Sequence, residues 1–394
     1  MKISQLDLTI QYHSIKEEID SAIKSVLESG KVINGGNVKL IENFISTYSG
    51  TRYGIGVANG SDALYIALKA LGIKQGDGVI TTPFTFFATA GSIVRAGATP
   101  IFVDIEPDTY NIDPKQLREC LNYHYTFTSK GWRLMNRQTG KPIKAIIPVH
   151  LYGQMCKMDE IMKIANKYNL KVIEDSAQSI GSEYKGKRAG SYGDLATFSF
   201  FPTKNLGTYG DGGMITTSNP EYADYCRTYR SHGADPKYYH KYIGINSRLD
   251  EIHAAILLIK LRYLDKWLED RCWVALKYQE LFFEYKLIDD KKMTTTYIDL
   301  GVITERKHTF NQYVIYAKDR DKLQEYLKQN GIDTSIYYPL CLHLQECFEY
   351  LGYEVGDFPV AENASKHVLA LPMYPELIGE QQEYVVSKIS EFYR

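Results

Sequence analysis

The sequence predicts an α/β fold: a large unit with a mostly parallel sheet between helices, then a smaller C-terminal α/β unit. Three observations carry this. Short apolar runs alternate with helical patterns from residue 54 to about residue 175, the pattern of strand–helix–strand crossovers. A helical pattern from Ser247 to about Tyr285 holds neither proline nor glycine; a run beyond about 25 residues suits a helix joining two units. A second, shorter set of strand and helix patterns follows it. The expected division is 1–255 and 256–394, joined by that helix.

Taken in order, Ser14 to Gly30 opens with a Ser14/Glu17 capping box, carries Ile15, Ile19, Ile23, Val26 and Leu27 at helical spacing, and stops at glycine. GIGVA (54–58) reads as a strand before a helix from Ser61, and VITT (79–82) as one before a helix around 86–96. IFVD (101–104), AIIPV (145–149), a helix near 158–168 and KVIED (171–175) continue the alternation. Residues 122–142 interrupt it and read as a hairpin turning at Gln138–Lys141, a surface elaboration. After the long helix come a strand at 311–317, a helix at 319–329, a strand near 332–337 and a last helix from about 379. Ligands of such sheets bind beyond the carboxyl ends of the strands.

Composition narrows the function classes. A formal net charge of −1 gives no electrostatic reason to expect nucleic acid or an anionic membrane as partner. No run approaches 18 apolar residues, so no membrane span is expected. The first residues, MKISQLDLTIQYHS, lack the apolar core of a signal peptide. Six cysteines without a CxxC pair argue against zinc and against a disulfide framework. Together these features predict a cytoplasmic enzyme that needs no metal.

The stretch ATFSFFPTKNLGTYGDGGMITT (196–217) is the chemical centre of the sequence. Lys204 stands in a polar, glycine-rich loop between two apolar strands. Such a lysine is costly unless it is paired, neutral or covalently engaged; an exposed loop lysine is the plain alternative. Pyridoxal phosphate would resolve the cost, since its aldehyde bonds to a lysine amine and its ring takes up electrons.

Upstream features converge on that lysine. Gly60-Ser61-Asp62 falls where a strand gives way to a helix, so free N–H groups and the Ser61 hydroxyl would hold a phosphate; a helix-capping serine explains it as well. Asp175 ends KVIED, where a carboxylate needs a cation. The pyridinium nitrogen is one candidate and an arginine another. Gln178 would bond the ring hydroxyl, Ser199 would add a hydroxyl to the phosphate cup, and Phe86 would stack on the ring or else fill the core.

NGSDAL, PFTFFATA, PVHLYGQ, EDSAQ, FSFFPTKNLGTYGDGG and NSRLDEIHAAIL resemble the motifs of the DegT/DnrJ/EryC1/StrS family of sugar-nucleotide aminotransferases. The resemblance runs from the first helix to about Leu344. It implies pyridoxal phosphate fold type I, like aspartate aminotransferase, and a homodimer with two composite sites. It also implies a nucleotide-linked keto-sugar as acceptor and glutamate as donor. By motif, Lys204 becomes the Schiff-base lysine, Asp175 the pyridinium partner, Gly60, Ser61 and Ser199 phosphate ligands, Phe86 the stacking ring and Gln178 the partner of the ring oxygen. Asn246 would reach the cofactor phosphate of the other subunit, and Tyr184, Arg248, Tyr337 and Tyr338 fall to the substrate. Many relatives carry glycine where this chain has Thr203 and histidine where it has Tyr337, which leaves the sugar position open. A dehydratase of the same family would carry histidine in place of Lys204, and a regulatory relative would not need the intact set.

Overall fold

In the computed structural model, residues 1–128, 131–287, 293–295 and 306–394 are described. Three helices, α1 (Leu8–Ser14), α2 (Lys16–Ser29) and α3 (Gly36–Tyr48), precede the first strand. The strands β1 (Tyr53–Val57), β2 (Gly78–Thr81) and β3 (Thr99–Phe102) are followed by a small hairpin, β4 (Tyr125–Thr128) and β5 (Gly131–Leu134). Next come β6 (Ile143–Ile146), β7 (Lys171–Asp175), a ribbon of β8 (Glu183–Tyr184) and β9 (Lys187–Arg188), β10 (Leu195–Ser199) and β11 (Gly213–Thr217). Between them lie α4 (Gly60–Ala70), α5 (Phe87–Arg95), α6 (Pro114–His124) and α7 (Met158–Tyr168), and α8 (Pro220–Tyr229) follows.

Seven strands form one sheet in the order β1-β11-β10-β7-β6-β2-β3. Only β11 runs against the rest, pairing antiparallel with both β1 and β10. The mostly parallel sheet is therefore as expected, and the carboxyl ends of β1, β2, β7 and β10 share one edge. Alternation puts Ile173 and Asp175 of β7 on one face and Val172 and Glu174 on the other. Ile173 packs with Ile55, Ile66, Ile93 and Ile215, and Val172 packs with Ile80, Ile146, Ile161 and Ile164.

After the large sheet come α9 (Glu251–Leu261), α10 (Leu264–Glu284), β12 (Met293–Thr295), β13 (Arg306–Lys307), β14 (Tyr313–Ala317), α11 (Arg320–Gln329), α12 (Pro359–His367), β15 (Val368–Leu371) and α13 (Gly379–Tyr393). A small sheet runs β12-β14-β15, and β13 joins β8 of the large unit. Ile3 bridges to Ile332 and packs among Tyr278, Tyr313 and Val385, so the first residues belong to the C-terminal core.

Four local expectations need correction. Ser14 caps nothing: its hydroxyl bonds back to Gln11 O at 2.8 Å, ending α1, and α2 begins after Ile15 without a side-chain cap. The helix does stop at Gly30, which takes φ of 66°, open to glycine without a Cβ penalty. The long helical pattern is two helices, broken at Arg262–Tyr263. Tyr263, in the turn between them, stacks on Trp267 and donates its hydroxyl to Glu18 of α2, a tertiary contact that composition does not signal. Ile332 and Ser335 make only isolated bridges, so no strand spans 332–337. In 122–142, β4 and β5 pair before the reversal at Asn136–Lys141, which is a second turn closed by a Met135–Pro142 bridge.

Candidate active site

The N-terminus of α4 follows β1 and faces the end of β10. Asn59, not Ser61, is its cap: Asn59 Oδ1 accepts from Asp62 N at 2.8 Å. The N–H groups of Gly60 and Ser61 thus belong to a first turn without intrahelical acceptors and lie on the wall of a cavity. A Cβ on residue 60 would stand 2.9 Å from Ser199 Cβ. Glycine is needed there because the helix end and the serine are pressed together.

Asp175 ends β7 with 5% of its surface exposed. Its Oδ2 accepts from Thr89 Oγ1 at 2.8 Å and its Oδ1 from Ala177 N at 3.2 Å. Among the described residues no ion pair engages it, so the arginine alternative falls away. Burial raises its pKa from the usual carboxylate value; the Thr89 and Ala177 hydrogen bonds and the Lys204 charge pull the other way.

Lys204 sits in a turn in which its own N–H bonds Phe201 O at 2.9 Å, while Phe200 pairs with Gly212 and Thr208 across the loop. The turn aims the side chain into the cavity that Asp175 also lines. Burial pushes the ammonium down to about 8, against the pull of Asp175. At pH 7 about 10% of such amines are neutral, against ~0.03% for an ordinary lysine. A neutral amine is the form that can act as a nucleophile or base.

The cavity measures about 790 Å³. It gathers Gly60, Ser61, Phe86, Asp175, Gln178, Ser199, Lys204, Tyr337 and Tyr338, nine of the residues singled out in the sequence. Phe86 is 57% exposed there, which removes the core alternative and leaves a ring free to stack. Gln178 is committed at both ends: Oε1 accepts from Tyr152 N at 2.7 Å and Nε2 donates to the Tyr338 hydroxyl at 3.1 Å. Tyr152 also donates its hydroxyl to Tyr337 O, so one buried tyrosine braces both the glutamine and the tyrosine pair.

Three expected residues lie outside this cavity. Tyr184 is 4% exposed and gives its hydroxyl to Asp159 at 2.6 Å. Asn246 is exposed and Arg248 half-buried on the segment leading to α9. Thr89, Arg95, Asp211 and Gln312 line or support the cavity and were not foreseen.

Residues 13–390 match the sequence profile of the DegT/DnrJ/EryC1/StrS aminotransferase family. The chain belongs to that family. It is 51% identical to a protein of Geobacillus stearothermophilus named "Pleiotropic regulatory protein", over 100% of this chain and 99% of that one. It is 41% identical to the dTDP-3-amino-3,6-dideoxy-alpha-D-galactopyranose transaminase of Aneurinibacillus thermoaerophilus, with 98% of each covered. Among solved structures, S. venezuelae DesV in complex with a ketimine intermediate superposes with a TM-score of 0.89 at 33% identity, covering 99% of this chain and 98% of that one. This chain and that structure share the mostly parallel α/β architecture of fold type I.

The residues present fit pyridoxal phosphate. A buried carboxylate without a direct ion pair among the described residues, a helix end that a Cβ would block and a lysine pushed toward neutrality meet in one cavity. Each complements a different part of that molecule.

Proposed function

We propose that this chain is a pyridoxal phosphate-dependent transaminase that moves an amino group from glutamate to a nucleotide-linked keto-sugar. The observation that carries the reading is the buried Asp175, without an ion-pair partner among the described residues, facing the same cavity as Lys204, whose pKa burial lowers. When bound, the cofactor supplies the electron sink and carries the amino group between the two substrates.

The protein's part is to hold and to move protons. Gly60, Ser61 and Ser199 take the phosphate at the positive end of α4. Asp175, oriented by Thr89, would hold the ring nitrogen and favour its protonated form. Phe86 would pack against the ring, and Gln178, held by Tyr152 and Tyr338, has a second Nε2 hydrogen that would serve the ring oxygen. Lys204 Nζ, neutral in part near pH 7, removes the proton from the donor's Cα and returns one on the other side of the exchange. Tyr337 and Tyr338 border the space left for the sugar.

Asn246 and Arg248 complete the reading across two chains. Both lie outside their own cavity, and a two-fold dimer would bring each to the partner's site. Arg248 would offer a planar fork to a diphosphate. Mixed dimers of Lys204→Ala and Arg248→Ala subunits should then regain part of the activity that either variant alone lacks. Exchanged dimers that regain none would assign Arg248 to its own chain.

A second reading, a regulatory protein without catalysis, has the name of the Geobacillus stearothermophilus relative in its favour. The two readings separate on one assay. The purified chain with glutamate and a panel of UDP-, dTDP- and GDP-linked keto-sugars should release 2-oxoglutarate with one of them. No release with any of them, from cofactor-loaded protein, would favour the regulatory reading.

A further inference from the structure

Asp62 raises an electrostatic problem inside the cavity. It is the third residue of α4, next to Ser61, and it lines the same wall as the N–H groups of Gly60 and Ser61. A carboxylate in the first turn of a helix is favourable by itself, because the helix dipole is positive there. An anion bound at the same turn would compete for that field and be repelled. Two like charges about 7 Å apart weaken binding by a factor between roughly 3 in bulk water and 50 near a protein surface.

Arg95 answers that problem. It is the last residue of α5, and its Nη1 stands 2.6 Å from Asp62 Oδ1. The guanidinium lies 4.2 Å above the ring of Tyr65, one turn along α4 from Asp62. Tyr65 is tied in turn to Tyr229, their hydroxyls 3.1 Å apart. Arg95 is thus held at two points over the first turn of α4 and also lines the cavity. The pair is a weak candidate for fold stability, since the Arg95 side chain is 48% exposed and pairs of that kind contribute little.

We infer that Arg95 is a positioning residue that neutralises Asp62 so that the first turn of α4 can accept a phosphate. The inference rests on the reading of Gly60, Ser61 and Ser199 as the phosphate seat. It assigns Arg95 no contact with the anion: its effect passes through Asp62.

A double-mutant cycle on cofactor-free protein tests this, with dissociation constants for pyridoxal phosphate and, separately, for inorganic phosphate. Arg95→Met should weaken both by roughly tenfold, the middle of the range above. Asp62→Asn should bind at least as tightly as the wild type, and the double variant should fall within about twofold of Asp62→Asn. Arg95→Lys, which keeps the charge, should recover most of the loss. A double variant as weak as Arg95→Met would overturn the inference, because Arg95 would then touch the anion or brace the helix. Arg95→Met within twofold of the wild type would also overturn it. Should Arg95→Met alone fail to fold, Asp62→Asn against the double variant still decides: equal affinities support the inference and a loss contradicts it. A wild type that binds phosphate but not pyridoxal phosphate would sink the cofactor reading, and the phosphate constants would still judge the pair.

Discussion

Glu174 and Asp175 are neighbours on one strand, both buried, and they are treated in opposite ways. Glu174 is fully enclosed, and its carboxylate takes hydrogen bonds from His150 Nε2 at 2.9 Å, Gly190 N at 3.0 Å, and Tyr192 N and Gly193 N at 2.7 Å each. Asp175, on the other face, has one hydroxyl and one peptide N–H, and open space beyond. The first arrangement satisfies a charge and ties the loop at 190–193 to the sheet. The second leaves a charge short of partners at the place where a cationic ring would supply one. A buried charge without full compensation is expensive, so the place where the fold tolerates it marks the site.

The largest expected effect breaks this comparison from the Asp175 side. Asp175→Asn keeps the shape and removes the charge, so kcat in the transamination assay should fall by about 10²–10³ or more. A variant within about tenfold of the wild type, roughly 1.4 kcal/mol in barrier, would make the carboxylate merely structural. From the other side, Glu174→Gln turns an amide NH₂ toward backbone donors. It should cost about 2–3 kcal/mol of stability in a denaturant titration, with kcat of the folded fraction within tenfold. A larger kinetic than stability effect would erase the distinction between the two residues.

Thr89→Val sharpens the comparison with a smaller change. It deletes the hydroxyl that opposes the burial-driven rise in the Asp175 pKa. The carboxylate then becomes harder to ionise, so the acid limb of the pH–kcat/KM profile should move to higher pH, with the loss growing as pH falls. An unmoved limb would show that Thr89 does not tune Asp175. Lys204 gives the mildest test. Its neutral fraction grows as pH rises toward about 8 and saturates above it. The rate at which cofactor-free protein captures pyridoxal phosphate should therefore climb to about pH 8.5 and level there. A climb continuing past pH 10 would indicate an ordinary lysine.

The strand ends were legible because their side chains break an apolar pattern. Asp175 and Ser199 each close a run of buried residues, and Lys204 follows one that Pro202 interrupts. What stayed hidden depends on contacts between distant parts of the chain. The whole of α3 was missed, and its start carries no local signal because its cap is remote: Glu251 accepts from the N–H groups of Gly35, Asn37 and Val38. The break at Tyr263 has the same kind of cause, in α2. Arg95 reads as an ordinary basic helix end until Asp62 and Tyr65 are seen beneath it. Tyr184, an aromatic expected at the substrate, lies outside this cavity with its hydroxyl held by Asp159, a contact between distant residues that the sequence does not signal.

The central claim is that Lys204 and Asp175 face one cofactor, and reconstitution tests it most directly. Cofactor-free wild-type protein mixed with pyridoxal phosphate should gain a visible absorbance band that borohydride abolishes and fixes to the chain. Lys204→Ala should still retain the cofactor through the phosphate seat and Asp175, as measured by equilibrium dialysis, but lose covalent fixation by borohydride and all turnover. Covalent fixation in Lys204→Ala equal to the wild type, or wild-type protein that binds no pyridoxal phosphate, would contradict the account.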